Sequence, residues 1–479
     1  MVRFLDAGNF KGVIMKEPIK KGVKKTISRR DFIANSSIAA AAFIIVPRHV
    51  LGGVGYTSPS DKLNIAAIGV GGKGRSDIAG VATENIVALC DVDDVNMFET
   101  IKKAGEWAEE QGLPENPLAK VPRYKDFRVM LDRQKDIDAV TVSTPDHFHA
   151  IAAITAIKKG KHAFVQKPLT HSVDEARKLS AAANKAGVVT QMGNQGHAGE
   201  GIRLISEWLA DDAIGDVREV HCWTNRPIWE TGMSRPLEIP SVPPTLDWNL
   251  WVGPAPYRPY HPAYAPWNWR AWCDFGTGAL GDMVAHIFDI PYHTLKMDQP
   301  TSVFASSSKF NGESWPVAST IYYEFPQRGK LPPVKLTWFD GGIMPPRPEG
   351  IEPGRRMGDG DGGIMFYGDK GMIMCGCYGR NPRLVPETSM KEYKRPPKTL
   401  ERSPGIHQEW VQCIKEGKQA TSNFDYAAKL TSTMLLGNIA IRMAPRSTKL
   451  EWDGKEGKFT NMDEANEYLG REYRKGYSL

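Results

Sequence analysis

Cysteine is scarce in this chain, and the few that occur do not cluster. Six are spread over 479 residues, at Cys90, Cys222, Cys273, Cys375, Cys377 and Cys413. Their spacing matches neither a disulfide framework nor a zinc pattern, so they read as free or packed thiols. No low-complexity tract is present, and no apolar run reaches the roughly 20 residues that a bilayer span takes. Excess charge is also missing from the body. The formal net charge is +6, but residues 1–30 hold nine Lys/Arg against two acids, leaving about −1 for the rest. The body therefore offers no electrostatic case for binding nucleic acid.

What is present begins with the N-terminus. Ser28-Arg29-Arg30-Asp31-Phe32-Ile33 leads into an alanine-rich apolar run that ends at Val46. Paired arginines before a modest apolar run resemble a twin-arginine export signal. That reading implies the twin-arginine export machinery as a partner and a periplasmic or exported location, with a membrane tether if the segment stays uncleaved. The plainer alternative is a basic amphipathic leader on a cytoplasmic protein. Residues 1–58 are assigned to this signal and a linker.

Residues 62–192 alternate short apolar runs with helical stretches, the signature of a parallel, doubly wound sheet. The run Leu63–Gly69 passes directly into Gly69-Val70-Gly71-Gly72-Lys73-Gly74, and a helix follows. Strand, glycine turn and helix together form a dinucleotide-binding fingerprint. Gly69 suits the tight turn, Gly71 the approach of a pyrophosphate, and Gly74 close packing of helix on strand. The next apolar run ends in Asp91, 22 residues after Gly69. A carboxylate there accepts from both adenosine-ribose hydroxyls and repels a 2′-phosphate, which favours NAD over NADP. Taken alone, a glycine turn can also be a structural bend and Asp91 a strand-end acid. Further strands end at Thr144-Pro145 and at Gln166-Lys167-Pro168, and Ser172 with Glu175 spells a capping box.

From residue 193 to 445 the pattern changes to runs of alternating strands and a late helical region. This predicts an α+β domain with a large, mostly antiparallel, open-faced sheet. Residues 446–479 read as a short mixed tail. Seven of the 13 tryptophans and ten prolines fall between Trp223 and Trp272. Such a segment can line a carbohydrate pocket, where aromatic faces stack on sugar C–H faces, or pack at a subunit interface. Next, Gly278 opens a helix on which Asp282 and His286 stand four residues apart, on one face. A carboxylate beside an imidazole can make it a general base. The spacing of Asp282, His286 and Asp289 also permits a metal reading, which no Cys or Glu cluster supports, and no metal is assigned.

In combination these motifs resemble the glucose–fructose oxidoreductase / inositol dehydrogenase / rhizopine-catabolism (Gfo/Idh/MocA) family, in an exported subgroup. The resemblance spans about residues 62–445. It rests on Gly69–Gly74, on Thr144-Pro145 with His149, on Lys167-Pro168 after a strand, and on Gly278…Asp282…His286. It implies an NAD-dependent oxidoreductase acting on a secondary hydroxyl or keto group of a sugar, glycoside or polyol. Lys167, Asp282 and His286 would be catalytic: His286 the base, Lys167 the partner of the substrate oxygen, Asp282 the group that orients His286. Gly69, Gly71, Gly72, Gly74, Asp91, Thr144, Pro145, His149, Gln166 and Lys167 would hold the cofactor. His197, Tyr260, Trp269 and Arg270 would hold the substrate. The family usually has Glu before Lys-Pro; Gln166 replaces it here, which puts that role in doubt. Two other functions stay open: an NAD-dependent glycosidase working by transient oxidation and elimination, and a non-catalytic dinucleotide- or sugar-binding protein. The open sheet implies a homo-oligomer, dimer or tetramer.

Overall fold

The computed structural model describes residues 61–479, so the export-signal expectation for residues 1–58 lies outside the described residues. Strands β1 (Asn64–Ile68), β2 (Asn85–Cys90), β3 (Arg123–Tyr124), β4 (Ala139–Val142), β5 (His162–Val165) and β6 (Thr190–Met192) pair in parallel. Their order is β3-β2-β1-β4-β5-β6. Covered on both faces, such strands are short and apolar; Ala139, Val140 and Val142 have no exposure at all. The order reverses between β1 and β4, where a doubly wound sheet opens a crevice at the carboxyl ends of its strands. The capping box opens the helix Val173–Ala186: Ser172 Oγ accepts from Glu175 N at 3.3 Å and Glu175 Oε2 from Ser172 N at 3.0 Å.

The second sheet contains β7 (Val217–Thr224), β8 (Ser302–Ser307), β9 (Ser319–Phe325), β10 (Val334–Phe339) and β11 (Gly362–Gly368). It also contains β12 (Met372–Gly376), β13 (Arg383–Val385), β14 (Leu450–Asp453) and β15 (Lys458–Phe459). Its order is β13-β12-β11-β7-β10-β9-β8-β14-β15. The β7–β10 pair is parallel and the other pairs are antiparallel, as the sequence pattern predicts. Alternation decides what each face meets: Tyr323 is 1% exposed beneath the helices Gly278–Ile287 and Phe424–Met443, while its neighbour Tyr322 is 43% exposed on the outer face. All six cysteines are free and buried.

Two segments depart from the expected boundaries. The residues read as a tail supply β14 and β15, and then cross to the first sheet's side, where Asp174 N donates to Leu469 O at 2.9 Å. There Arg471 Nε and Tyr473 Oη donate to Glu175 Oε1 at 2.7 and 2.6 Å. The helix Ile406–Glu416 likewise packs Ile406, Trp410 and Val411 onto Ile65, Ala139 and Phe164 of the first sheet. Short mixed sequence carries no periodicity that would announce a crossing of this kind.

Candidate active site

At the glycine turn, Gly69 has φ +79°, and a Cβ added to it would lie 2.7 Å from Ser143 O. A Cβ on Gly74 would lie 1.9 Å from Gly69 O, so the helix Lys73–Gly80 can start this close to β1 because residue 74 has no side chain. Asp91 closes the turn from the end of β2. Its Oδ2 accepts from Val70 N (2.9 Å) and Gly71 N (3.3 Å), and its Oδ1 from Asp93 N (3.0 Å) and Asn96 Nδ2 (3.4 Å). Burial raises its pKa, and these donors oppose the rise. A Cβ on Gly71 would strike the Asn96 amide at 2.4 Å, a neighbour that sequence spacing does not reveal.

A cavity of about 410 Å³ runs along this turn, within the size range of small-molecule sites. Its lining includes Gly69, Gly71, Gly72 and Asp91, then Thr144 and Pro145, then Gln166 and Lys167. The tryptophan- and proline-rich arm lines it too, through Leu246, Trp251, Tyr260, Trp269 and Arg270, as does Tyr477. The arm is fastened there by backbone bonds: Asp94 N donates to Thr245 O at 3.0 Å and Asp247 N to Val92 O at 2.9 Å. Most of its aromatic rings pack on one another, Trp248 stacking on Trp251 at 4.7 Å.

Lys167 lines the cavity as well. Its Nζ donates to Asp282 O at 2.6 Å and to Asp282 Oδ1 at 2.7 Å. Arg270 Nε is 3.4 Å from Asp282 Oδ1 and Arg226 Nε 3.5 Å from Asp282 Oδ2. Burial would raise the Asp282 pKa, but Lys167 and Arg270 hold it well below the usual carboxylate value. His286 shares the helix and is 4% exposed, with its ring 4.6 Å from that of Tyr378. Its Nδ1 is buried without a hydrogen-bond partner. Burial, then the charge of Lys167, push its pKa well below 6.5, so the imidazole is neutral at pH 7. The expectation that Asp282 orients His286 is therefore corrected. The i, i+4 spacing sets both on one face, but three cations from elsewhere in the chain engage the carboxylate.

Of the three expected catalytic residues Lys167 lines the cavity, while Asp282 and His286 stand behind it and are not among its lining residues; of the expected substrate residues, Tyr260, Trp269 and Arg270 line it and His197 does not. His197 is 3% exposed, with Nδ1 3.1 Å from Asp289 Oδ2, and Tyr426 Oη donates to the same carboxylate at 2.6 Å. A substrate role for His197 is thus replaced by a structural one, and the same bonds remove Asp289 from any metal set. His149 is also buried away from the cavity, between Pro168 O (2.6 Å) and Thr144 O (2.8 Å), where it ties together two segments of the wall. Sequence reasoning missed Arg226, Tyr477 and a buried carboxylate, Asp77, to which Gln166 Nε2 donates at 2.9 Å. The substitution at 166 was the one available signal, and it did not point to residue 77.

Residues 63–194 match the family model described as "Oxidoreductase family, NAD-binding Rossmann fold", and residues 216–326 the model described as "Oxidoreductase family, C-terminal alpha/beta domain". Together they cover half of the chain. A glycosyl hydrolase family 109 protein of Shewanella pealeana is 30% identical over 176 residues, which is 33% of this chain and 37% of that protein. The chain thus matches little more than a third of that relative's length. Among solved structures, the WlbA dehydrogenase from Bordetella pertussis, in complex with NADH and UDP-GlcNAcA, is similar over 82% of this chain and 99% of that one, with TM-score 0.54 and 15% identity. A levoglucosan dehydrogenase in complex with NADH and L-sorbose is similar over 81% and 98%, with TM-score 0.51 and 17% identity. At these identities the structures show a shared fold.

Proposed function

The chain belongs to the Gfo/Idh/MocA oxidoreductase family, and from that premise we propose that it interconverts a secondary hydroxyl and a keto group on a sugar, glycoside or polyol, using NAD. One observation carries the reading: a single cavity is lined both by the dinucleotide glycine turn and by Lys167, together with Arg270, Trp269 and Tyr260. The structural relatives include proteins solved with NADH together with L-sorbose or UDP-GlcNAcA, which supports a sugar-like substrate.

The residues fit NAD. Thr144 Oγ1 and Gln166 Oε1 are buried and without protein partners, and both side chains stand in the cavity wall. Buried polar atoms are nearly always satisfied in folded proteins, so unpaired ones in a cavity point to a ligand. The glycine turn and the helix start at Lys73 would hold the pyrophosphate, Asp91 the adenosine ribose, and Thr144 and Gln166 the nicotinamide half. Bound NAD supplies the hydride acceptor or donor. On oxidation, neutral His286 takes the hydroxyl proton, and Lys167 donates to the same oxygen as its charge develops. Asp282 holds the Lys167 ammonium in place. Trp269 and Tyr260 offer flat faces to the sugar ring, and Arg270 donates to its hydroxyls.

Export through the twin-arginine pathway to the periplasm, argued from Ser28–Ile33 alone, and pairing of two copies through the outer face of the second sheet belong to the same proposal. A second reading comes from the curated relatives, which include an alpha-N-acetylgalactosaminidase of Shewanella oneidensis, 30% identical over 158 residues. In that reading the sugar is transiently oxidised and the glycoside eliminated. Incubation of the protein with NAD and a panel of glycosides separates the two. Net formation of reduced cofactor with the glycosidic bond intact supports the dehydrogenase. Cleavage without net reduction supports the glycosidase and overturns the first reading.

A further inference from the structure

Asp77 is a buried carboxylate that the reaction proposed above does not use. It lies on the helix Lys73–Gly80 with no exposure and is approached by donors from four other side chains. Lys73 Nζ and His407 Nε2 reach Oδ1 at 2.7 and 2.9 Å, and Ser143 Oγ reaches Oδ2 at 2.7 Å. Gln166 Nε2 reaches both oxygens, at 3.0 and 2.9 Å. Burial by itself would raise the Asp77 pKa, but the His407 bond and the Lys73 charge bring it below the ordinary value, so the group is ionised.

An ionised carboxylate only accepts hydrogen bonds. The end of the Gln166 amide that faces Asp77 is therefore its NH2, and the carbonyl oxygen faces away. Gly193 backs this arrangement, since a Cβ there would lie 2.5 Å from Gln166 Nε2. The outcome is a fixed, polarised amide. Its Oε1 is buried and unpartnered, on a side chain that lines the cavity immediately before Lys167. A Glu at 166 would instead set a second carboxylate about 3 Å from Asp77, where like charges oppose one another.

We propose that Asp77 is a positioning residue that presents Gln166 Oε1 as the acceptor for the carboxamide NH2 of the nicotinamide ring, and that this pairing selects Gln at position 166. The inference rests on the NAD reading of the cavity. Its test is an equilibrium titration, followed by tryptophan fluorescence, with NAD and with 3-acetylpyridine adenine dinucleotide, whose methyl ketone lacks the N–H. The native protein should favour NAD by roughly tenfold, the worth of one hydrogen bond of about 1.4 kcal/mol. In Asp77→Asn the preference should fall toward unity, with affinity for the analogue little changed. Gln166→Glu should weaken NAD, and the double variant Asp77→Asn/Gln166→Glu should restore the preference, because the Asn amide then donates to a Glu that still offers an oxygen to the cavity. NAD and analogue binding equally to the native protein, or an unchanged preference in Asp77→Asn, would overturn the inference and leave the cofactor reading standing. Failure of the native protein to bind either would overturn both.

Discussion

The Lys167 ammonium is held twice by one residue, at 2.7 Å by the Asp282 carboxylate and at 2.6 Å by the Asp282 carbonyl. Lys167 follows β5, and Asp282 lies on the helix Gly278–Ile287. The contact thus ties the parallel sheet to the helix beneath the second sheet, beside the cavity where chemistry is proposed. The two side chains are 13% and 12% exposed, so neither charge has much water to fall back on.

Asymmetry in this cluster predicts which variant is less stable. Asp282→Asn leaves Lys167, Arg226 and Arg270 without their shared anion, whereas Lys167→Met leaves Asp282 with two guanidiniums. Stranding buried charge costs roughly 3–5 kcal/mol. Urea denaturation should therefore show Asp282→Asn as clearly the less stable of the two. Equal stabilities, or the reverse order, would remove Asp282 from the centre of the cluster.

The neutral state of His286 predicts a pH profile. Burial and the neighbouring Lys167 charge depress its pKa well below 6.5, and a base works in its deprotonated form. The acid limb of kcat/KM for oxidation should therefore lie below pH 6.5, where an exposed imidazole would place it. His286→Ala should lower kcat by roughly 10²–10⁴-fold with NAD affinity retained. A limb centred at 6.5, or undiminished turnover in the variant, would contradict the assignment.

Legibility in the sequence followed the range of the interactions. Gly69, Gly74 and Asp91 were readable because strand, turn, helix and acid lie within one βαβ unit, and the structure brings them to one end of the sheet. The longer strands were readable, those of the first sheet as short apolar runs and those of the second from their alternation, while the short strands Arg123–Tyr124, Arg383–Val385, Leu450–Asp453 and Lys458–Phe459 were not. The arm was not, because proline-rich backbone has no period, and its place is fixed by backbone bonds to residues 92–94, about 150 positions earlier. The contact of Asp77 with Gln166 and His407 joins positions 89 and 330 residues apart. No spacing rule reaches so far. On the helix Gly278–Ile287 the rule gave the shared face of Asp282 and His286 correctly, but could not tell that Lys167 would take the carboxylate.

Tyr477 predicts how firmly the cofactor is held. Its ring stands in the cavity wall, with the Arg128 guanidinium 4.7 Å from its centroid. Nearby, Arg474 N donates to Pro254 O at 3.0 Å and its guanidinium to Asn249 Oδ1 and O, both at 2.9 Å, which latches this segment to the arm. Loss of an aromatic contact to a base costs roughly 1–3 kcal/mol. Tyr477→Ala should therefore weaken NAD by about 5- to 150-fold, with kcat at saturating cofactor little changed. Fluorescence titration and a stopped-flow dissociation rate measure this; unaltered NAD affinity would show that the ring is only a plug.

His147 predicts how the fold responds to acid. Its ring is fully buried, with Nδ1 3.2 Å from Phe275 O and Nε2 3.1 Å from Trp251 O, so it fastens the arm to the parallel half. Burial, then the charge of Arg471, bring its pKa down to about 3, against about 6.5 in the unfolded chain. Between those values the unfolded state binds a proton that the folded state refuses, so stability falls as pH is lowered from 6.5. The slope is up to about 1.4 kcal/mol per pH unit for this one group, and above pH 6.5 the group adds no dependence. Urea midpoints at pH 7.5, 6.5 and 5.5 should drop below 6.5 in the native protein, and less steeply in His147→Asn by up to one proton's worth. Parallel slopes in the two proteins would mean that His147 is protonated within the fold, with both ring nitrogens donating to the carbonyls they face.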